Sequence, residues 1–457
     1  MKKIICLLTV LAMVFSLAAC GGSGSGDKND GPKDGEIAAT GSKWVEGLYV
    51  PELENTNIRW LRSSAREYHQ SIDTEEIPDA YYQSWLAWEA TYGGKVTVEV
   101  TGWDDFTTYL TTGAASGDMP DIVYGGTTWF PKWPAAGLVQ PLDDYADYID
   151  LSDEMWNKGV MDQLKWGGKN YIAYAQVPEL FYICYNQTKF DLAGEKTPLE
   201  HWKDGTWTWT QFIKTAKNMT DVKANEYGCT GWNLGVNKAP YSLINISADG
   251  TLTSNVTNTK VKNYFQSLYD FTHSGAQRTD NSSSNYMSTF FAGQDAMIHV
   301  SQEEYIRTQK MLKITGGDEF RIAPNPLIDS NGETQSKMAS NIYGYSISSQ
   351  AKNPEGAAVL IDLYYKIHNK IEDSNGELGS FGVYLNDEEK AAVKQANEAT
   401  PELNFTIGIS NFSALWAESK CDFITDPAKE GSVSSALDGF DSVLNAELKE
   451  VMKAVGQ

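Results

Sequence analysis

The side chains best suited to chemistry in this chain are aromatic, and they gather around one stretch. Residues 117–145 read GDMPDIVYGGTTWFPKWPAAGLVQPLDDY. Pro120 blocks a helix, and Ile122, Val123 and Tyr124 have strand propensity. Gly125 and Gly126 are expected to end that strand in a tight turn. Thr127 or Thr128 would then cap a short helix carrying Trp129 and Trp133. Flat indole faces cover the C–H faces of a sugar ring, while a few planar polar groups take its hydroxyls. An open α/β sheet offers such groups at the carboxyl ends of its strands. Trp129, beside the turn, is the stacking candidate. Trp133, one helical turn on, reads as core.

Catalysis needs a different arrangement. The acidic pairs Glu75–Glu76, Asp104–Asp105 and Asp143–Asp144 are adjacent in sequence, so their side chains point apart. A glycosidase needs two carboxylates facing each other across one bond. The chain has no G-x-S-x-G, H-E-x-x-H or P-loop pattern, and its five histidines are scattered. Cys184, Cys229 and Cys421 have no CxxC spacing and read as buried thiols, with one disulfide left open. No enzyme, metal site or cofactor is expected.

The elements that would hold the aromatic groups can be read from periodicity. Strands are expected at 58–61 and 95–100, helices at 81–92 and 104–115, then the strand at 122–124. That alternation implies a parallel sheet with helices over it. Further on, 169–186 reads as two extended runs broken at Pro178–Glu179, and 207–219 as a helix capped by Thr208 or Thr210. Residues 228–232 read as a loop, and Asp249–Gly250 marks a hairpin. Helices follow at 261–273 and 354–365, strands at 296–300 and 340–349. The closing helix, 433–455, carries one apolar stripe from Val433 to Val455.

At 457 residues, two lobes are expected. The net charge of −23 excludes nucleic acid, which needs a Lys/Arg footprint. Lys2 and Lys3 precede an apolar run too short to span a membrane in the mature protein. It ends in Leu17-Ala18-Ala19-Cys20, which resembles a bacterial lipobox with lipidation at Cys20. Residues 21–43 are Gly/Ser/Asp-rich, as in a flexible tether.

The body resembles the extracellular solute-binding proteins of ABC importers, the group that includes maltose-binding protein. The resemblance rests on PDIVYGG, GLVQPLDDY, Tyr185–Asn186 with the following FDLAGEKTP, FFAGQDAM at 290–297 and GYSISSQAKNPEGAAVLIDLYY, in that order. It implies an α/β, two-lobed periplasmic-binding-protein-like fold (type II), its discontinuous lobes joined by crossing strands near 175–181, 343–348 and 382–386. The expected division is a signal peptide at 1–19, lipidated cysteine and tether at 20–43, one lobe from 44–176 with 346–384, and a second from 177–345 with 385–457.

The resemblance also implies function: a lipid-anchored receptor on the outer face of the cytoplasmic membrane. It would capture a small solute, an oligosaccharide, and hand it to ABC permease subunits. It would act as a monomer, touching the membrane through its lipid alone. A lipid-anchored surface glycan hydrolase or lyase is the alternative. Candidate ligand contacts are Arg62 and Ser63 after the first strand, Thr128 and Trp129, Glu179 at a crossing, Trp232 in its Gly-bounded loop, Glu303, Tyr343, and Trp416, at the place where maltose-binding protein presents a stacking aromatic. The bland alternatives are core packing for Trp129, Trp232, Tyr343 and Trp416, a solvated turn for Glu179, a surface ion pair for Arg62 and a solvated helix start for Glu303.

Overall fold

The structure, a computed structural model, describes residues 35–37, 42–63, 79–176, 178, 181–230, 239–247, 249–279, 286–315, 317–334, 342–398, 402–408 and 412–454. Cys20, Glu179 and Trp232 lie outside them. Ten strands build two five-stranded sheets: β1 Ile58–Arg62, β2 Val96–Val100, β3 Ile122–Gly126, β4 Val139–Gln140, β5 Phe181–Asn186, β6 Tyr227–Thr230, β7 Gln277–Arg278, β8 Asp295–Ser301, β9 Phe320–Pro324 and β10 Tyr343–Ser348.

The first sheet has the order β2-β1-β3-β10-β4. Strand β1 runs parallel to β2 and β3, and β10 is antiparallel to β3. The register pairs Arg62 with Val100 and Gly126 with Tyr343, which brings the carboxyl ends of three strands and the start of a fourth to one edge. Trp60 and Leu61 point to opposite faces of β1, and both are fully buried because helices or aromatic side chains cover each face. On one face, the helix Ala80–Tyr92 packs against the helix Pro354–Ser374. Asp79 caps the first of these by accepting from Tyr82 N at 2.8 Å, and Gly93 closes it in the left-handed conformation.

The two glycines of β3 do something other than turn the chain. The strand runs through both of them. A Cβ on Gly126 would overlap the carbonyl oxygen of Ile342, and one on Gly125 would overlap Ser346 Oγ and Ile172. The residues are glycine because β10 and residue 172 pack directly onto their backbone. The helix after them is also shorter than expected. It spans Lys132–Ala135 with Pro131 at its cap position, so neither Thr127 nor Thr128 caps it.

The second sheet has the order β7-β6-β8-β5-β9, with β5 antiparallel to both neighbours and β6 parallel to β7 and β8. Residues 228–230, expected as part of a loop, belong to β6. The edge strand β9 is closed off by Glu389, whose carboxylate accepts from Ile322 N at 2.9 Å and from Asn386 N at 2.8 Å. Burial raises the Glu389 pKa above its ordinary value near 4.5. The folded chain therefore holds that proton more tightly than the unfolded one. This contribution to stability is fully present below about pH 4.5 and is lost as pH rises through the folded pKa. Glu389→Gln removes it, so denaturant midpoints measured across pH should fall less steeply above pH 4.5 in the variant than in the parent.

In the closing helix, Val433–Ala454, the expected stripe is buried at Val433, Leu437, Phe440, Leu444 and Leu448 against the helix Thr259–Thr272 and strand Leu252–Ser254. That strand forms the Asp249–Gly250 hairpin with Ile244–Ile246. Cys184, Cys229 and Cys421 are buried and free.

Three expectations shift. Part of the stretch expected as tether, 21–43, is folded chain, since Gly35–Glu36 pairs with Tyr49–Val50 and Ile37 and Val45 are buried. The helix expected at 354–365 continues to Ser374. At 382–386 the chain is the end of the helix Gly379–Gly382 and the Asn386 cap of the helix Asp387–Asn397, not a strand.

Candidate functional site

The shared edge of the first sheet carries a cation and a wall of rings. At the end of β1, Arg62 is 3% exposed, its guanidinium carbon 3.8 Å from the centroid of Tyr81 and 5.9 Å from that of Tyr124. Its Nη2 donates to Tyr124 Oη at 3.3 Å. A planar, weakly hydrated, permanently charged group suits such stacking. Tyr81 and Tyr345 are hydrogen-bonded through their hydroxyls. Burial pushes the Tyr345 and Tyr364 hydroxyls well above the usual tyrosine range, so they stay protonated. Ser63, the next residue, is half-buried.

Beyond β2 the chain turns through Gly102 into Trp103, which is 38% exposed. Its ring centroid lies 4.9 Å from that of Trp129 and 5.1 Å from that of Tyr343, the latter edge-on at 82°. Trp129 is 6% exposed, stacked on Trp133 at 4.7 Å and 13°, with Phe106 5.1 Å away. Thr128 Oγ1 lies 3.5 Å from Tyr343 Oη. Trp133 is buried and donates through Nε1 to Thr107 Oγ1 at 3.1 Å. The outer face of this wall is therefore Trp103, with Trp129, Tyr343 and Phe106 behind it. Asp104 and Asp105 follow Trp103 and are exposed, which sets hydroxyl-accepting carboxylates beside an apolar ring.

The structure thus groups Arg62, Ser63, Thr128, Trp129 and Tyr343 at one edge, and adds Tyr81, Tyr124 and Trp103. The sequence reading missed Trp103, although it follows a strand directly, as Trp129 follows β3. Two candidates lie elsewhere. Trp416 is 6% exposed, with its ring 5.4 Å from Phe265 and 5.2 Å from Phe440, inside the helical layer formed by 259–272 and 433–454. Glu303 sits in the first turn of the helix Gln302–Thr315, exposed and paired with Arg307 at 3.8 Å. Among the described residues, no group of three or more His, Cys, Asp or Glu is arranged to hold a metal ion. No described helix is long and apolar enough to cross a membrane.

A family model described as bacterial extracellular solute-binding protein matches residues 71–366, more than half the chain. A diacetylchitobiose binding protein of Streptomyces coelicolor is 25% identical over 226 residues, covering 49% of this chain and 44% of that protein. A multiple sugar-binding protein of Streptococcus mutans is 28% identical over 145 residues, 31% of each chain. The matched region spans less than half the length of either relative. Among solved structures, a substrate-binding protein of Listeria monocytogenes in complex with cycloalternan aligns with TM-score 0.63 at 18% identity, over 85% of this chain and 98% of that one. The galacto-N-biose-/lacto-N-biose I-binding protein of Bifidobacterium longum aligns with TM-score 0.62 at 16% identity, over 87% and 98%. At those identities the likeness is one of fold, and the fold is two-lobed.

Proposed function

The chain belongs to the bacterial extracellular solute-binding protein family, and from that premise we propose that it captures an oligosaccharide between its lobes and delivers it to the permease of an ABC importer. The observation that carries the saccharide reading is the exposed Trp103 ring, backed by Trp129 and Tyr343 and flanked by Asp104 and Asp105. Such a surface offers a flat face to sugar C–H groups and acceptors to sugar hydroxyls. Arg62, held against Tyr81 and Tyr124, adds donors that never lose their protons. The named ligands of the relatives, among them diacetylchitobiose, cycloalternan and lacto-N-biose, support the same substrate class.

In this reading one lobe is 44–176 with 346–384, the other 177–345 with 385–457, and the protein works as a monomer. Ligand that touches both lobes favours the closed form by its differential affinity for it. Glu179 and Trp232 are proposed to complete the site from the second lobe. Cys20 carries lipid and holds the body at the outer face of the cytoplasmic membrane. Replacing it, Cys20→Ser, should move the protein from the membrane fraction to the medium in a fractionation experiment; retention in the membrane would contradict the anchor.

The test of function is a titration of intrinsic tryptophan fluorescence with a panel of di- to tetrasaccharides, with chromatography of the recovered sugar. One saturable, stoichiometric response with intact sugar is expected. Product formation would transfer the chain to the glycan hydrolase or lyase reading, and no response to any saccharide would end the carbohydrate assignment.

A further inference from the structure

The sequence holds two Asn-Gly steps, and both lie in the same pentapeptide: DSNGE occupies 329–333 and again 373–377. Asparagine is a thermolabile residue, and a following glycine, with no Cβ, leaves the backbone nitrogen open to attack the side-chain amide. Identical neighbours give the two asparagines one intrinsic rate in an unfolded chain, so a difference between them belongs to the fold. Both pentapeptides make the same turn. Gly332 and Gly376 have φ of 62° and 79°, and their N–H groups donate to Asp329 O at 3.4 Å and Asp373 O at 3.0 Å. The backbone nitrogen is restrained in both, and more closely at Gly376, so it gives Asn375 no advantage.

The side chains differ. Asn331 is half-buried and clamped on three sides. Its Nδ2 donates to Tyr241 Oη at 3.1 Å and to Lys260 O at 3.3 Å, and its Oδ1 accepts from Asn263 Nδ2 at 2.7 Å. Asn375 is exposed at the end of the helix Pro354–Ser374. Its Nδ2 donates at 3.3 Å to Ile371 O, an oxygen that already accepts from Ser374 Oγ at 2.7 Å. Cyclisation brings Cγ onto the next backbone nitrogen, so the carboxamide must first leave its partners. At Asn331 three bonds break and half-buried groups are left unpaired, whereas at Asn375 one long bond breaks into solvent. Frayed helix ends are also where local opening costs least.

We propose that Asn375 is a site of spontaneous deamidation, and that its twin Asn331 is protected by its clamp. The Gly376 nitrogen loses its proton to hydroxide and attacks Asn375 Cγ. The bond from Cγ to the side-chain nitrogen breaks, and that nitrogen takes a proton from water and leaves as ammonia. Water then opens the resulting succinimide at one carbonyl or the other, giving aspartate or isoaspartate. Either product adds a carboxylate to a stretch that already holds Glu372, Asp373 and Glu377, and removes the donor to Ile371 O. Isoaspartate also puts Cβ into the main chain. The turn begins the connection from the helix Pro354–Ser374, which packs on the first sheet, to the helix Asp387–Asn397, which packs on β9 of the second. The modification therefore falls where the chain passes from one sheet to the other, and it is independent of the solute the protein binds.

The test holds the purified protein at mildly alkaline pH, below its unfolding transition, and follows each asparagine over time by mass spectrometry of the proteolytic peptide that carries it. Conversion at Asn375 is expected to be at least about tenfold faster than at Asn331. In denaturant the two should convert at the same rate. Tyr241→Phe combined with Asn263→Ala removes two of the three partners and should speed conversion at Asn331 while leaving Asn375 unchanged. Equal rates in the folded protein, or a faster Asn331, overturn the proposal, as does a gap that persists in denaturant. Because both sites are compared within the parent chain, the result stands even where the double variant does not fold.

Discussion

Truncation of Trp416 to alanine is expected to lower the stability of the protein by about 3–5 kcal/mol, the range for a large aromatic removed from a packed core. Its ring is 6% exposed and packs between Phe265 and Phe440. These belong to helices that approach each other along their apolar stripes, so neither helix can close the gap without moving its whole face. Saccharide affinity at temperatures well below the transition should stay within about twofold of the parent. Denaturant unfolding measured beside a titration checks both halves. A variant of parental stability that no longer binds would instead place Trp416 at the ligand, where the family resemblance put it.

Trp103→Ala should act mainly on binding. With 38% of the residue in solvent, less buried surface is lost than at Trp416, and the midpoint of unfolding should fall less than in Trp416→Ala. The ring is nevertheless the outermost layer of the wall, and an anchoring aromatic at a binding surface is worth about 2 kcal/mol or more. That corresponds to an affinity about thirtyfold weaker. Trp103→Phe keeps an apolar face of smaller area and should recover part of the loss. Parental affinity in Trp103→Ala would remove the wall from the ligand site altogether.

These two predictions separate what the sequence could and could not convey. The stripe at Val433, Leu437, Phe440, Leu444 and Leu448 was readable because a helix repeats locally, and the Asp249–Gly250 hairpin because turn chemistry is local. Strands β1 to β3 and their parallel arrangement followed from alternating strand and helix patterns. Tertiary approach was not readable. Gly125 and Gly126 looked like a turn, because what demands glycine there is Ile342, Ser346 and Ile172, brought in from distant parts of the chain. Trp129 and Trp103 both follow strands, and only the stacking of Trp129 on Trp133 and Phe106 leaves Trp103 as the outer ring. For Trp416 the resemblance supplied a position, whereas its surroundings are decided by two helices whose packing no local pattern reveals.

If this edge of the first lobe receives a saccharide, the sugar will be seen there. A structure determined with a sugar selected by titration tests it most directly. A pyranose ring is expected over the exposed face of Trp103, with hydroxyls reaching Asp104, Asp105 or Arg62 and the second lobe closed upon it. A well-ordered ligand bound elsewhere, with Trp103 bare to solvent, would contradict it.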